Sequence, residues 1–196
     1  VFDKYLKHLE KHKLIDYNLI LTRTRDLFHE NPDILDQYRF LYQSILIDEF
    51  QDTDRVQYRI LKDLAWKKRN IFAVADDDQS IYTWRGANPG NIREFMKDFN
   101  ISNVIFLEHN YRSGPHIVDV SQRILEFTDR IEPGKKIISD GSRSDRVRIQ
   151  FFQEEEEEQR FILEKIKEWH DTANVPYSRI GIIYPRHIFG ERLLNP

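Results

Sequence analysis

Apolar and polar positions along the chain fall into blocks that switch between helical and strand spacing. Over residues 2–42, Leu6, Leu9, Leu14, Leu19, Leu27 and Phe28 recur at steps that approximate one face of a helix. Asn31-Pro32 interrupts that face and starts another helix, because proline fits a first helical turn and not an interior. Residues 44–47 carry the run Ile45-Leu46-Ile47 and lead into Asp48-Glu49, the pattern of a buried parallel strand with polar groups at its carboxyl end. Residues 54–66 return to helical spacing, with Val56, Ile60, Leu61 and Leu64 on one side. A second buried strand is expected over 71–75, ending in Asp76-Asp77-Asp78, then a helix over 88–99 and a third strand over 104–107. Ser113 as cap and Pro115 just inside the start predict a helix running to about Thr128.

Beyond that point residues 133–146 are polar and glycine-bearing, with Lys135, Lys136 and Arg143, and read as a loop. Residues 147–152 alternate like a strand. The acidic run 154–158 opens a helix as a solvated start favoured by the helix dipole. Its apolar face is Phe161, Ile162, Ile166 and Trp169, with Trp169 expected in the core, and residues 180–184 form a last strand. Strands alternating with helices predict an α/β fold with a mainly parallel sheet. A boundary between two lobes is expected near residues 107–113.

Composition narrows the function. Hydrophobic residues make up 40% and aromatics 13%, ample for a packed core. The 30 basic and 33 acidic side chains leave a net charge of −3, so any nucleic-acid contact must come from a local patch or from stacking. The absence of cysteine excludes disulfides and thiolate metal sites and fits a reducing cytoplasm. No apolar run approaches the roughly 18 residues of a membrane span, and no signal peptide is visible. The chain opens on Val1 directly in a helical pattern, and both ends are expected to continue into a longer protein.

Three segments carry candidate chemistry. In Ile45-Leu46-Ile47-Asp48-Glu49-Phe50-Gln51-Asp52-Thr53 a strand delivers two carboxylates to the end where ligands sit in open α/β sheets. Phosphoryl transfer needs such a pair, one for the magnesium and one to orient or deprotonate water. The plainer alternative is a solvated strand end. In Val74 to Ala87 a strand ends in carboxylates and is followed by Gln79, Tyr82, Trp84 and Arg85. Two large aromatics beside an arginine suit stacking on unpaired bases, or else serve as core anchors under a loop. In Phe106 to Ser113 a strand end leads into a helix start carrying Tyr111 and Arg112. Arg112 can reach an anion across a cleft and Tyr111 can stack on a ring, or the two can belong to an ordinary capping turn.

Together, in this order and at this spacing, the three segments resemble the UvrD/Rep/PcrA family of superfamily 1 DNA helicases. Residues 48–53 look like motif II, the Walker B element; 79–87 like motif III; and 107–113 like motif IV. Residues 14–20 are similar to a weaker segment that precedes motif II, and 180–186 to a strand and arginine that follow motif IV. The resemblance is strong over 45–124 and loose outside it.

The resemblance implies two incomplete RecA-like lobes, residues 1–107 and 108–196, which close on ATP and Mg2+ and move along single-stranded DNA, 3′ to 5′. Partners would be single-stranded and 3′-tailed duplex DNA and the remaining helicase domains of a parent protein, in the cytoplasm and without a membrane. Asp48 would bind magnesium and Glu49 would be the base that activates water. Gln79 would sense the γ-phosphate and link it to the DNA-contacting segment. Tyr82 and Trp84 would contact DNA, with Trp84 stacking on a base and Arg85 bracing the segment. Tyr111 would stack on adenine, and Arg112 would reach the γ-phosphate from the second lobe. Ala75 stands where the family usually has glycine and His109 where glutamine is common. No G-x-x-x-x-G-K-[ST] loop occurs in these 196 residues, and the family's last two motifs are absent. The chain alone is therefore expected not to hydrolyse ATP. A natural, non-hydrolysing helicase remnant that binds single-stranded DNA or a protein is the alternative.

Overall fold

Three helices open the chain, one more break than the apolar pattern predicts. Helix α1 (Phe2–Lys11) ends at His12, and Lys13 turns the backbone with a φ of 53°. Asp16 then caps α2 (Tyr17–Glu30), its carboxylate accepting from the Leu19 amide at 2.7 Å and from the Tyr5 hydroxyl at 2.6 Å. Pro32 starts α3 (Pro32–Leu41), as expected of a residue whose missing amide hydrogen costs nothing there. The computed structural model describes residues 1–128, 130–131, 134–141 and 146–194 of the chain.

Strands β1 (Ile45–Ile47) and β2 (Ile71–Ala73) pair in parallel, with Ile45 opposite Ile71 and Ile47 opposite Ala73. The crossover between them is α4 (Arg55–Ala65). Asp54 and Gln57 form a capping box at its start, which satisfies two otherwise orphaned amides. Helix α5 (Gly90–Asp98) follows β2. Ile45, Ile47, Ile71 and Ala73 pack on a core of Phe50, Tyr58, Ala65, Phe95 and Phe99. These strands are not buried on both faces as the continuous apolar runs suggest. Leu46 and Phe72, register partners on the other face, are 75% and 59% exposed.

Residues 104–107 do not form a strand. The next ladder is the short pair β3 (His109–Asn110) and β4 (Ile138–Ser139), again parallel. It lies partly inside the stretch expected to be a loop; positions 133 and 142–145 of that stretch, Arg143 among them, are outside the described residues. The crossover is α6 (Pro115–Leu125), whose cap position is Gly114, one residue later than expected, so Ser113 does not cap it.

The chain divides into two compact units, Val1–Asp145 and Arg146–Pro196. The second holds α7 (Glu155–Ala173), closed by Asn174 in the left-handed region, and α8 (His187–Leu194). Trp169 of α7 is 47% exposed and is not a core residue. Residues 147–152 and 180–184, expected as strands, have no ladder among the described residues. An apolar alternation makes a strand only where a partner backbone takes its hydrogen bonds. Mixed helix and small parallel sheets define the chain as α/β, and no described helix is long and apolar enough to cross a membrane.

Candidate active site

The parallel ladder continues past β1 and β2 and sets the site. The Val74 amide donates to the Ile47 carbonyl at 2.8 Å, and the Phe50 amide donates to the Val74 carbonyl at 2.9 Å. Between Ile47 and Phe50 the chain must turn outward, and Glu49 does so in the left-handed region (φ 50°, ψ 43°), unusual for a residue with a side chain. Phe50 is 1% exposed and anchors the turn in the core, against Tyr58 and Phe95. Asp48 and Glu49 are left exposed at the sheet's carboxyl end, and Asp48 Oδ1 accepts from the Glu49 amide at 3.0 Å.

Beneath them lies Gln51, also 1% exposed. Its Nε2 donates to Glu49 Oε2 at 2.6 Å and its Oε1 accepts from the Asp76 amide at 2.9 Å. Asp76 Oδ2 in turn accepts from Gln79 Nε2 at 2.6 Å. The end of β1 and the turn after β2 are thus one hydrogen-bonded unit running Glu49, Gln51, Asp76, Gln79.

Asp76, Asp77 and Asp78 have carboxylate oxygens within 4.8 Å of one another. The cations beside them are side chains of this unit. Arg130 donates twice to Asp78, at 2.8 and 2.6 Å. Lys135 bonds to Asp76 and lies 3.0 Å from Asp78 Oδ2. The Ile131 amide donates to Asp77 Oδ2 at 2.6 Å. Burial pushes the Asp78 carboxyl up, but the hydrogen bonds and charges of Arg130 and Lys135 outweigh it and hold it below the usual carboxylate range. Burial likewise pulls Lys135 down, and the Asp76 and Asp78 carboxylates outweigh that and hold it above the usual lysine range.

Six residues on, Tyr82, Trp84 and Arg85 occupy one 3₁₀ turn (Thr83–Arg85) and its cap. Gly86 closes the turn at φ 98°, which side chains resist. Trp84 is 78% exposed and Tyr82 37%, so Trp84 is not a core anchor. Their ring centroids are 6.5 Å apart, and the Arg85 guanidinium lies 5.6 Å from the Tyr82 ring and 5.7 Å from the Trp84 ring. Tyr111 and Arg112 sit just after β3, and the amides of Arg112 and Ser113 both donate to Asn110 Oδ1, at 2.9 and 2.8 Å. Tyr111 is 72% exposed and stacks on His109, with centroids 6.2 Å apart. Sequence reasoning gave Gln51 and Arg130 no role, read Asp76 only as one of three carboxylates at a strand end and Lys135 only as a basic position in a polar loop; the run of three aspartates was a local signal for Asp76, and nothing local announces the Gln51 bonds.

Parallel strand ends thus present carboxylates on the same stretch of chain as an exposed aromatic–arginine turn. Residues 1–100 match the UvrD/REP helicase N-terminal domain and residues 105–188 the UvrD-like helicase C-terminal domain. The chain belongs to the UvrD/Rep helicase family. It is similar to the ATP-dependent DNA helicase PcrA of Leuconostoc citreum, 34% identical over 94% of this chain and 24% of that protein. It is also similar to DNA helicase II of Escherichia coli, 37% identical over 94% of this chain and 25% of the relative, and to DNA helicase II of Haemophilus influenzae, 39% identical over 86% and 23%. The chain spans about a quarter of the length of these curated relatives.

Proposed function

We propose that this chain is the centre of an ATP-driven DNA helicase motor, carrying the carboxylates that act on ATP and the aromatic turn that contacts DNA. The observation that carries this reading is the continuous chain Glu49–Gln51–Asp76–Gln79 leading into the exposed Tyr82/Trp84/Arg85 turn. A merely solvated strand end has no reason to be tied through a buried amide to Gln79, three residues before the aromatic turn begins at Tyr82.

Asp48 offers an exposed carboxylate oxygen, a hard donor that suits magnesium. Magnesium, when bound with ATP, neutralises charge that builds on the phosphates. Glu49 accepts the proton of the attacking water at its carboxylate. Gln79, on the same hydrogen-bonded unit, meets the γ-phosphate and shifts with it. Tyr82 and Trp84 bind single-stranded DNA by stacking, with Arg85 fixing the pair. Tyr111 stacks on adenine and Arg112 reaches the γ-phosphate from a second RecA-like lobe, with the lobes being residues 1–107 and 108–196. The intact motor acts on single-stranded and 3′-tailed duplex DNA, 3′ to 5′, with further domains supplying the phosphate loop. The 196-residue chain alone does not hydrolyse ATP.

The test is Glu49→Gln in the intact motor. The amide is isosteric but cannot take the proton, so steady-state turnover should collapse while ATP binding is kept. A fall of less than about tenfold, roughly 1.4 kcal/mol of barrier, overturns the assignment of Glu49.

A further inference from the structure

We infer that Gln51 is a positioning residue for the hydrolytic step, holding the Glu49 carboxylate in one orientation and tying it to the turn that carries Gln79. The inference rests on the reading of Glu49 as the base.

Glu49 needs such a tether. Its backbone is turned out of the strand into the left-handed region and its side chain stands in solvent. A long, exposed carboxylate of this kind samples several rotamers, and a base out of line with the attacking water is slow. Gln51 selects one orientation by donating to Oε2 at 2.6 Å. Among the described residues Oε1 takes no hydrogen bond, which leaves it for the water.

The direction of these bonds follows from chemistry. The Asp76 amide can only donate, so the atom 2.9 Å from it must be the Gln51 oxygen. The nitrogen is then the atom facing Glu49, and a carboxylate can only accept. Both ends of a side chain that is 1% exposed are thereby used. Apolar packing alone would not select an amide here, since burying an amide is costly unless both ends are bonded. Asp76 extends the tie: its carboxylate accepts from Gln79 at 2.6 Å and from the Asp78 amide at 3.2 Å, and pairs with Lys135. A movement of Gln79 is thus carried through Asp76 and Gln51 to the base.

The test uses the intact motor and the variant Gln51→Glu, with Gln51→Met as a second. Gln51→Glu keeps the acceptor for the Asp76 amide and replaces the donor to Glu49 by a repelling carboxylate. Four measurements are made: single-turnover ATP hydrolysis, equilibrium ATP affinity, thermal midpoint, and single-stranded DNA affinity with and without a non-hydrolysable ATP analogue. The expected result is a hydrolysis rate lowered at least tenfold, ATP affinity within about threefold, a near-normal midpoint, and a smaller effect of the analogue on DNA affinity. In the Glu49→Gln background, Gln51→Glu should lower the rate no further, because a positioning residue has nothing left to position. A normal rate in Gln51→Glu overturns the inference. So does an equal loss in both backgrounds, or unfolding of both Gln51 variants, which would make Gln51 a core residue only. Should Glu49→Gln itself turn over normally, it is the reading of the base that fails.

Discussion

Trp84 shows what one residue's surroundings decide. As a residue type it suits a core and a stacking platform equally. At 78% exposure, with Arg85 drawn against it, it has a free face for a flat ligand. Trp84→Ala in the intact motor should weaken single-stranded DNA binding by about 1–3 kcal/mol, the worth of one base–aromatic stack. Trp84→Phe should recover most of it. The measurement is a titration with a labelled oligonucleotide at fixed salt, with the thermal midpoint as control. Unchanged DNA affinity in Trp84→Ala would remove Trp84 from the DNA surface. Glu49 and Gln51 differ from this case, because their identities were visible in sequence but the bond between them required the turn at Glu49.

At the scale of elements, helix α4 is where local signals and structure agree most closely. Asp54 accepts from the Val56 and Gln57 amides at 2.7 and 2.8 Å, and Gln57 Oε1 accepts from the Asp54 amide at 2.9 Å. All of this lies within one turn, so a short stretch of sequence contains it. Asp54→Ala should cost about 1 kcal/mol of stability, read as a shift of the urea midpoint, and Asp54→Asn should cost less. An unchanged midpoint in the alanine variant would mean that tertiary packing alone holds this start. The α5 contact below the cap is longer-ranged. Asn91, 0% exposed, donates to the Thr53 and Asp54 carbonyls at 3.0 and 3.2 Å. Nothing in the spacing of Thr53 and Asn91 announces that bond.

Over the whole of the first compact unit, the aspartate turn and the segment around Arg130 and Lys135 form a charged junction with Asp78 only 7% exposed. Its pH dependence has a definite sign. The Asp78 carboxyl is held below its ordinary range when folded, so the unfolded chain takes up protons first as pH falls. Its contribution to stability is complete above the ordinary carboxylate range. It is lost as pH drops through the depressed value. Asp98 behaves in the same way: burial raises it, and bonds from Lys62 and Tyr58 outweigh that. Stability should therefore hold from neutral pH down to the ordinary carboxylate range and fall below it. Asp78→Asn should flatten part of that fall. Hydrogen exchange at the Ile131 amide, which donates to Asp77, reports the junction directly. Early loss of its protection on acidification, ahead of global unfolding, is the expected outcome. Protection that persists until the core melts would show that the charges do not hold the segment.

What the sequence determined by itself is what acts within a few residues: the strands at Ile45–Ile47 and Ile71–Ala73, the capped helix between them, and the proline-started helices α3 and α6. Propensity, capping and apolar periodicity operate over a turn or a strand, so they survive without knowledge of the path of the chain. Tertiary structure decided the rest. Residues 147–152 alternate and residues 104–107 and 180–184 are apolar runs, as strands require, but a ladder also depends on a partner that no local pattern names. Gln51 meets Asp76 across 25 residues, Arg130 meets Asp78 across 52 and Lys135 meets Asp76 across 59. The first bond exists because the β1–β2 ladder brings two distant strand ends together; the other two join the turn after β2 to residues that follow α6. Burial by itself opposes the Arg130 and Lys135 pairs, and they hold because the folded chain sets opposite charges within hydrogen-bond reach, an arrangement that no local stretch of sequence contains.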